Sequence, residues 1–285
     1  PTLDAAERAG LYRRVEGLSK RWLGYGIRLR EIGARDLRAE FAKPEMPFNL
    51  PEEKSCIAAA TLDMSETGGR DKLEGLVERE YRLRGPAVFA RLFPEAAGLG
   101  EAEARRRATE AFLTRHGALA GLSTPAGPLL AGPEDRRMYS FTNWAALVRT
   151  TIETDFYLTN AAMAVPDDDM PIYVLARGGL TTGFVDNQPG APYQAAGLVT
   201  LLPFLAGERL FNPAAPATGM AEKLDAAATM WLHELGHFLN RYGEMYGESG
   251  CVHVASEGLD YFKWHRAIQK ADNKCSRPPA VVSKF

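Results

Sequence analysis

The chain has 285 residues, 46% of them hydrophobic and 25% charged, with a formal net charge of -2. That is the composition of a globular protein able to bury a sizeable core, as one large domain or two small ones. So balanced a charge gives no reason to expect nucleic acid or an acidic membrane as partner. No apolar run approaches the roughly 18 residues of a membrane helix, and the longest, AAGLVTLLPFLAG, is interrupted by Pro203.

The first 120 residues read as helical. In LDAAERAGLYRRVEGLSKRWL, apolar Leu11, Val15, Leu18 and Trp22 recur near the helical period. Asp4 followed by Glu7 has the spacing of a capping box. KPEMPFNLPEEK, Lys43 to Lys54, breaks the pattern. RDKLEGLVEREYRLRG predicts a second helix with Leu73, Leu76, Val77 and Tyr81 on one stripe. EAEARRRATEAFLTRHG predicts a third, closed by Gly117. Its Arg105 to Arg107 run has Glu101, Glu103 and Glu110 close by, the pattern of a solvated helix face. His116 beside the helix end reads as structural, because a cation is favoured there.

STPAGPLLAGPED, Ser123 to Asp135, is the best candidate boundary. It divides a mainly helical region of unknown role, 1–135, from a second region, 136–285. The second opens with FTNWAALVRTTIETDFYL, read as a helix burying Trp144, Leu147 and Ile152. Three strands are expected next, at Met170 to Arg177, Leu180 to Asn187 and Ala196 to Leu205. Helices over about Met220 to Tyr242 and Ser256 to Ala271 close the chain. The fold class is therefore α+β. No internal repeat at solenoid periods is evident.

Three of the five histidines fall between Trp231 and Phe262. On a helical wheel, Leu224, Ala228, Trp231, Leu235, Leu239 and Tyr242 share one side. His233 and His237 share the other, beside Ala226 and Met230, one turn apart and able to reach one ion. Glu234 sits about a quarter turn away, near the ion without being a ligand. This is the H-E-x-x-H arrangement: two imidazoles and a third protein group hold Zn²⁺, and the fourth position takes water. Zinc lowers that water's pKa from about 15.7 to near 7. Glu234 then accepts its proton as general base and delivers it to the leaving amine. Small Gly236 between the ligands permits close approach of another element. The competing reading is a histidine pair on a solvated face, with Glu234 in a surface salt bridge.

HELGH, His233 to His237, resembles the signature of the zincin metallopeptidases. The likeness runs from about Met170 onward, while the first 135 residues match no such pattern. It implies a zincin-like catalytic domain: a small mixed β-sheet, a backing helix and an active-site helix. The metzincin pattern places Gly at 240 and His at 243, where this chain has Asn240 and Gly243. The gluzincins place a glutamate ligand twenty positions after the second histidine, which here is Glu257 in ASEGLDYF. The match is partial: Ser256 stands where that family more often has Asn, and the next carboxylate, Asp260, comes at three rather than four positions. Ser256 could cap the helix, and Asp260 could orient a histidine ligand. His253, Asp260, Glu248 and His265 compete as third ligand, Asp260 as in the aspzincins.

A tetrahedral transition state needs a donor opposite the metal. Tyr261 and His265, on the stripe of Glu257, are the candidates the resemblance suggests, with Tyr246 as alternative. An extended peptide substrate would lie along an edge strand, for which LTTGFVDN is the candidate. The expected activity is that of a zinc metalloendopeptidase acting on a peptide or protein. The alternative is a zincin-like domain that no longer cuts and serves as a binding or effector module. The helical first half could be a pro-segment or a lid. Cys251 and Cys275 could form a bridge, leaving Cys56 free, or all three cysteines could be reduced. The numbering begins at Pro1, so the lack of a leader is uninformative, and a secreted or periplasmic location is favoured over a cytoplasmic one.

Overall fold

A computed structural model describes residues 3–34, 59, 62, 67–120, 123–124, 127–128, 138–140, 156–166, 170, 172, 174–184, 194–210, 212, 214–243, 245, 250–256, 260–276 and 278. It mixes helix and sheet, as the α+β reading expects. The chain divides into two compact units, one of Asn49–Phe141 with Ala161–Ala176, the other of Thr2–Phe48, Thr142–Asn160 and Arg177–Phe285. This division does not follow a cut at 135/136: the first helix groups with the histidine motif, and the Ser123 to Asp135 stretch falls inside the other unit.

The first unit is built on helices α2 (Thr67–Arg84), α3 (Pro86–Leu92) and α4 (Glu101–Ala120). The stripe Leu73, Val77 and Tyr81 is buried against Phe89, Phe93, Ala108 and Phe112, with Met170 and Ile172 joining the same core. Leu76 is only partly buried there. The α4 helix runs through Gly117 to Ala120 rather than stopping at it, and His116 lies within it. Arg106 binds Glu103 and Glu110, and Arg107 binds Glu103, so the arginine run is a solvated, paired face. Short strands β1 (Ser123–Thr124) and β2 (Gly127–Pro128) pair antiparallel. A three-stranded sheet orders β3 (Met138–Ser140), β5 (Ala162–Pro166) and β6 (Val174–Arg177), with β3 parallel to β5.

The second unit begins with α1 (Ala5–Leu23), started by the Asp4/Glu7 capping box and ended by Gly24 in the left-handed region at φ 90°. Its sheet orders β4 (Phe156–Thr159), β8 (Gln194–Thr200) and β7 (Gly179–Phe184). β4 runs parallel to β8, and β7 antiparallel. Phe156, Tyr157 and Leu158, expected at the end of a helix, are thus strand; the rest of that expected helix, with Trp144, Leu147 and Ile152, lies outside the described residues. The third expected strand stops at Thr200, and Pro203 lies near the start of α5 (Leu202–Ala206), where a missing N–H costs nothing.

Helices α6 (Met220–Asn240) and α7 (Tyr261–Ala271) complete this unit. The wheel expected α6 to bury one side only. In fact every residue from Ala226 to Gly236 is buried, while Leu239 is exposed and Tyr242 lies beyond the helix end. The cause is packing on several sides. Tyr12 of α1 meets Trp231 edge-on at 5.9 Å, and Arg14 binds Asp225 at 2.6 Å. Strands β7 and β8 lie on another side. Ala226, Ala227 and Ala228 are small enough to let such neighbours close in. Among the described residues, no helix is long and apolar enough to cross a membrane.

Candidate metal centre

Helix α6 delivers His233, Glu234 and His237. It ends because Arg241 turns left-handed at φ 54°, which brings the chain back beneath the last turn. The returning carbonyl of Tyr242 then accepts from His237 Nδ1 at 2.5 Å. The carbonyl of Val252 accepts from His233 Nδ1 at 2.7 Å. A carbonyl can only accept, so both Nδ1 atoms carry the hydrogen, and each ring in its neutral form presents a lone pair on Nε2. The two Nε2 atoms are 3.1 Å apart.

Lone pairs that close repel unless a cation lies between them. Two nitrogens about 2.05 Å from a tetrahedral zinc stand about 3.3 Å apart, so the spacing fits two ligands of one ion. Locking the far nitrogen to a carbonyl is the second contact that metal-binding imidazoles usually make. Trp264 packs edge-on against His233 at 5.8 Å.

Glu234 is buried at 5% exposure, which rules out the surface salt bridge. Thr181 Oγ1 of β7 lies 2.7 Å from its Oε2 and 3.1 Å from its carbonyl, and the hydroxyl hydrogen is best used on the shorter contact. A Cβ at Gly179 would stand 2.4 Å from Glu234 Oε1, so only glycine lets the carboxylate lie on this strand. β7 is the end strand of its sheet among the described residues.

On the other flank of the pair, a Cβ at Gly236 would stand 2.6 Å from His253 Nδ1. The glycine therefore seats the His253 ring, which also meets Tyr242 edge-on at 4.6 Å. Among the described residues, His253 Nδ1 is buried with no hydrogen-bond partner. Burial first, then repulsion from His233 and His237 whenever those rings take up a proton, pushes this imidazole down to about 4, so it is neutral at neutral pH. Among the described residues, no three His, Cys, Asp or Glu side chains are assembled to hold an ion. His253 thus flanks the pair without completing it.

The remaining candidates separate. Glu257, Glu248 and Tyr246 lie outside the described residues. Asp260, not Ser256, caps α7, accepting from the Lys263 N–H at 2.9 Å, so the helix starts at Tyr261 rather than at Ser256. The Tyr261 hydroxyl accepts from the Gly178 N–H at 2.9 Å, and its ring packs on Phe204. His265 Nδ1 lies 2.8 Å from Thr229 Oγ1, one turn before His233 on α6. Thr229 spends its own hydrogen on the Asp225 carbonyl, so His265 is the donor. Burial pushes His265 below its ordinary range. Cys251 and Cys275 are joined in a disulfide, and Cys56 lies outside the described residues.

Sequence reading missed Thr181, Gly179 and the two carbonyls. Backbone acceptors leave no trace in residue type, and nothing in LTTGFVDN marks one threonine as a carboxylate partner. No family model, curated protein or solved structure matches the chain.

Proposed function

We propose that the chain is a zinc-dependent metallopeptidase of the zincin kind. The observation that carries this is the histidine pair: two Nε2 lone pairs 3.1 Å apart, each ring fixed through its Nδ1 on a carbonyl. His233, His237 and a third ligand, for which we put forward Glu257, would hold the ion. When bound, zinc supplies Lewis acidity, lowering the pKa of a water and polarising a carbonyl.

The chain's own groups do the rest. Glu234 takes a proton on its carboxylate, with Oε2 held by Thr181, and passes it to the leaving amine. β7, antiparallel to its neighbour and at the end of its sheet among the described residues, offers its outer edge to an extended peptide. Tyr261 and His265 spend polar atoms on Gly178 and Thr229, and in this reading brace α7 against the sheet and α6. The Cys251–Cys275 disulfide supports a secreted or periplasmic setting, where such bonds persist.

Metal analysis of protein purified without chelator, paired with Glu234→Gln, tests this. We expect one zinc per chain in both proteins, and hydrolysis of a denatured protein substrate about a hundredfold or more slower in the variant. No stoichiometric zinc would overturn the site. Zinc without hydrolysis in the wild type would leave the non-cutting binding module.

A further inference from the structure

His233 owes its orientation to a short strap, Cys251–Val254, every residue of which is buried. Besides its bond to His233 and the pairing of Val254 with Met245, the strap is fixed at three points. Cys251 is joined to Cys275 beyond the end of α7. The Val252 N–H donates to Asn273 Oδ1 at 2.6 Å. The Val254 carbonyl accepts from Trp264 Nε1 at 2.9 Å. Between these anchors the Val252 carbonyl faces His233 Nδ1, and the next residue lays its imidazole against Gly236. Asn273 sits left-handed at φ 54° and also donates to the Trp22 carbonyl, so it links the strap to α1.

We propose that the Cys251–Cys275 bridge and Asn273 are the positioning elements of the metal centre, so that zinc binding depends on the redox state of the bridge. This rests on the reading of the histidine pair as a zinc site. The bridge joins Cys251, 1% exposed, to half-buried Cys275, which leaves the latter sulfur as the point of attack. A dithiol reductant attacks Cys275 Sγ, the Sγ–Sγ bond breaks, and Cys251 leaves as a thiolate that takes a proton. The reductant's second sulfur then displaces Cys275, which takes the other proton. The dithiol ends as a cyclic disulfide, having given two electrons. The strap loses its covalent anchor, the Val252 carbonyl no longer holds Nδ1 as the protonated nitrogen, and Nε2 is no longer fixed as the lone-pair donor.

The test is zinc affinity by competition with a chromophoric chelator, together with ¹⁵N imidazole spectra of the metal-free protein. Four forms are compared: oxidised wild type, wild type reduced and freed of reductant, Cys251→Ser/Cys275→Ser, and Asn273→Gly. We expect zinc binding about tenfold or more weaker in the last three. We also expect His233 to shift from one tautomer to a mixture, and Asn273→Asp, which keeps the acceptor for the Val252 N–H but loses the donor to the Trp22 carbonyl, to recover part of both readouts. A folded double-serine variant that binds zinc like the oxidised wild type overturns the proposal. It also removes the two freed thiols as substitute ligands. If that variant does not fold, unchanged affinity in Asn273→Gly overturns it instead. Should the oxidised wild type take up no zinc, the zinc reading fails separately. The strap is then judged on the tautomer alone, and an unchanged His233 spectrum overturns it.

Discussion

Replacing Thr181 by valine keeps the side-chain shape and removes the hydroxyl that meets Oε2 of Glu234. We expect peptide hydrolysis to fall about tenfold with zinc content unchanged, and Thr181→Ser to recover most of it; full activity in the valine variant would deny the contact a role. Gly179→Ala is the harsher test, because its Cβ would stand 2.4 Å from Oε1 and force the carboxylate aside. A displacement of that order costs about a hundredfold in rate. His265, buried against Thr229, also couples stability to pH. Burial lowers its folded pKa below the ordinary 6.5, so above that pH neither folded nor unfolded state is protonated and nothing is lost. As pH falls below 6.5, the unfolded chain takes up the proton first, and stability declines toward the folded pKa. The slope is up to about 1.4 kcal/mol per pH unit for each such histidine. Thermal melts of metal-free protein between neutral and acid pH should show this decline, and His265→Gln should reduce it while His253 keeps its own share; equal slopes would contradict the assignment.

At the scale of elements, α1 is a wall of the site's own unit. Leu11 and Val15 are fully buried in the core that also holds Trp231 and Leu235 of α6. Leu11→Ala should therefore cost about 3 kcal/mol in denaturant unfolding, and a loss below about 1 kcal/mol would show that the helix is not packed this way. The sequence displays the stripe Leu11, Val15, Leu18 and Trp22 and the Asp4/Glu7 cap, because both are local patterns. It does not display the partner, because α6 lies some two hundred residues on, as the Arg14–Asp225 contact shows. The same limit explains Phe156 to Leu158. These residues fit a helix locally and become strand by pairing in parallel with Gly197 to Val199. Ser256 and Asp260 are both good caps for α7, and only the contact with Lys263 selects the second. The bridge closes a loop of 24 residues, and its removal should lower metal-free stability by about 3 kcal/mol.

For the whole molecule, the α+β class and the pairing of His233 with His237 were legible, since both follow from period and spacing. What completes the centre was not. The carbonyls of Tyr242 and Val252 and the seat of His253 on Gly236 arise where separate stretches of chain meet. The unit that carries the motif draws on both ends of the chain, so a cut near residue 135 would strip α1 from α6. The most direct measurement is an anomalous difference map from crystals, collected on both sides of the zinc absorption edge. We expect a single strong peak about 2.0–2.1 Å from Nε2 of both His233 and His237, with a third protein ligand on it. Rings that close over each other with no peak between them, in protein never exposed to chelator, would contradict the zinc centre and the peptidase built on it.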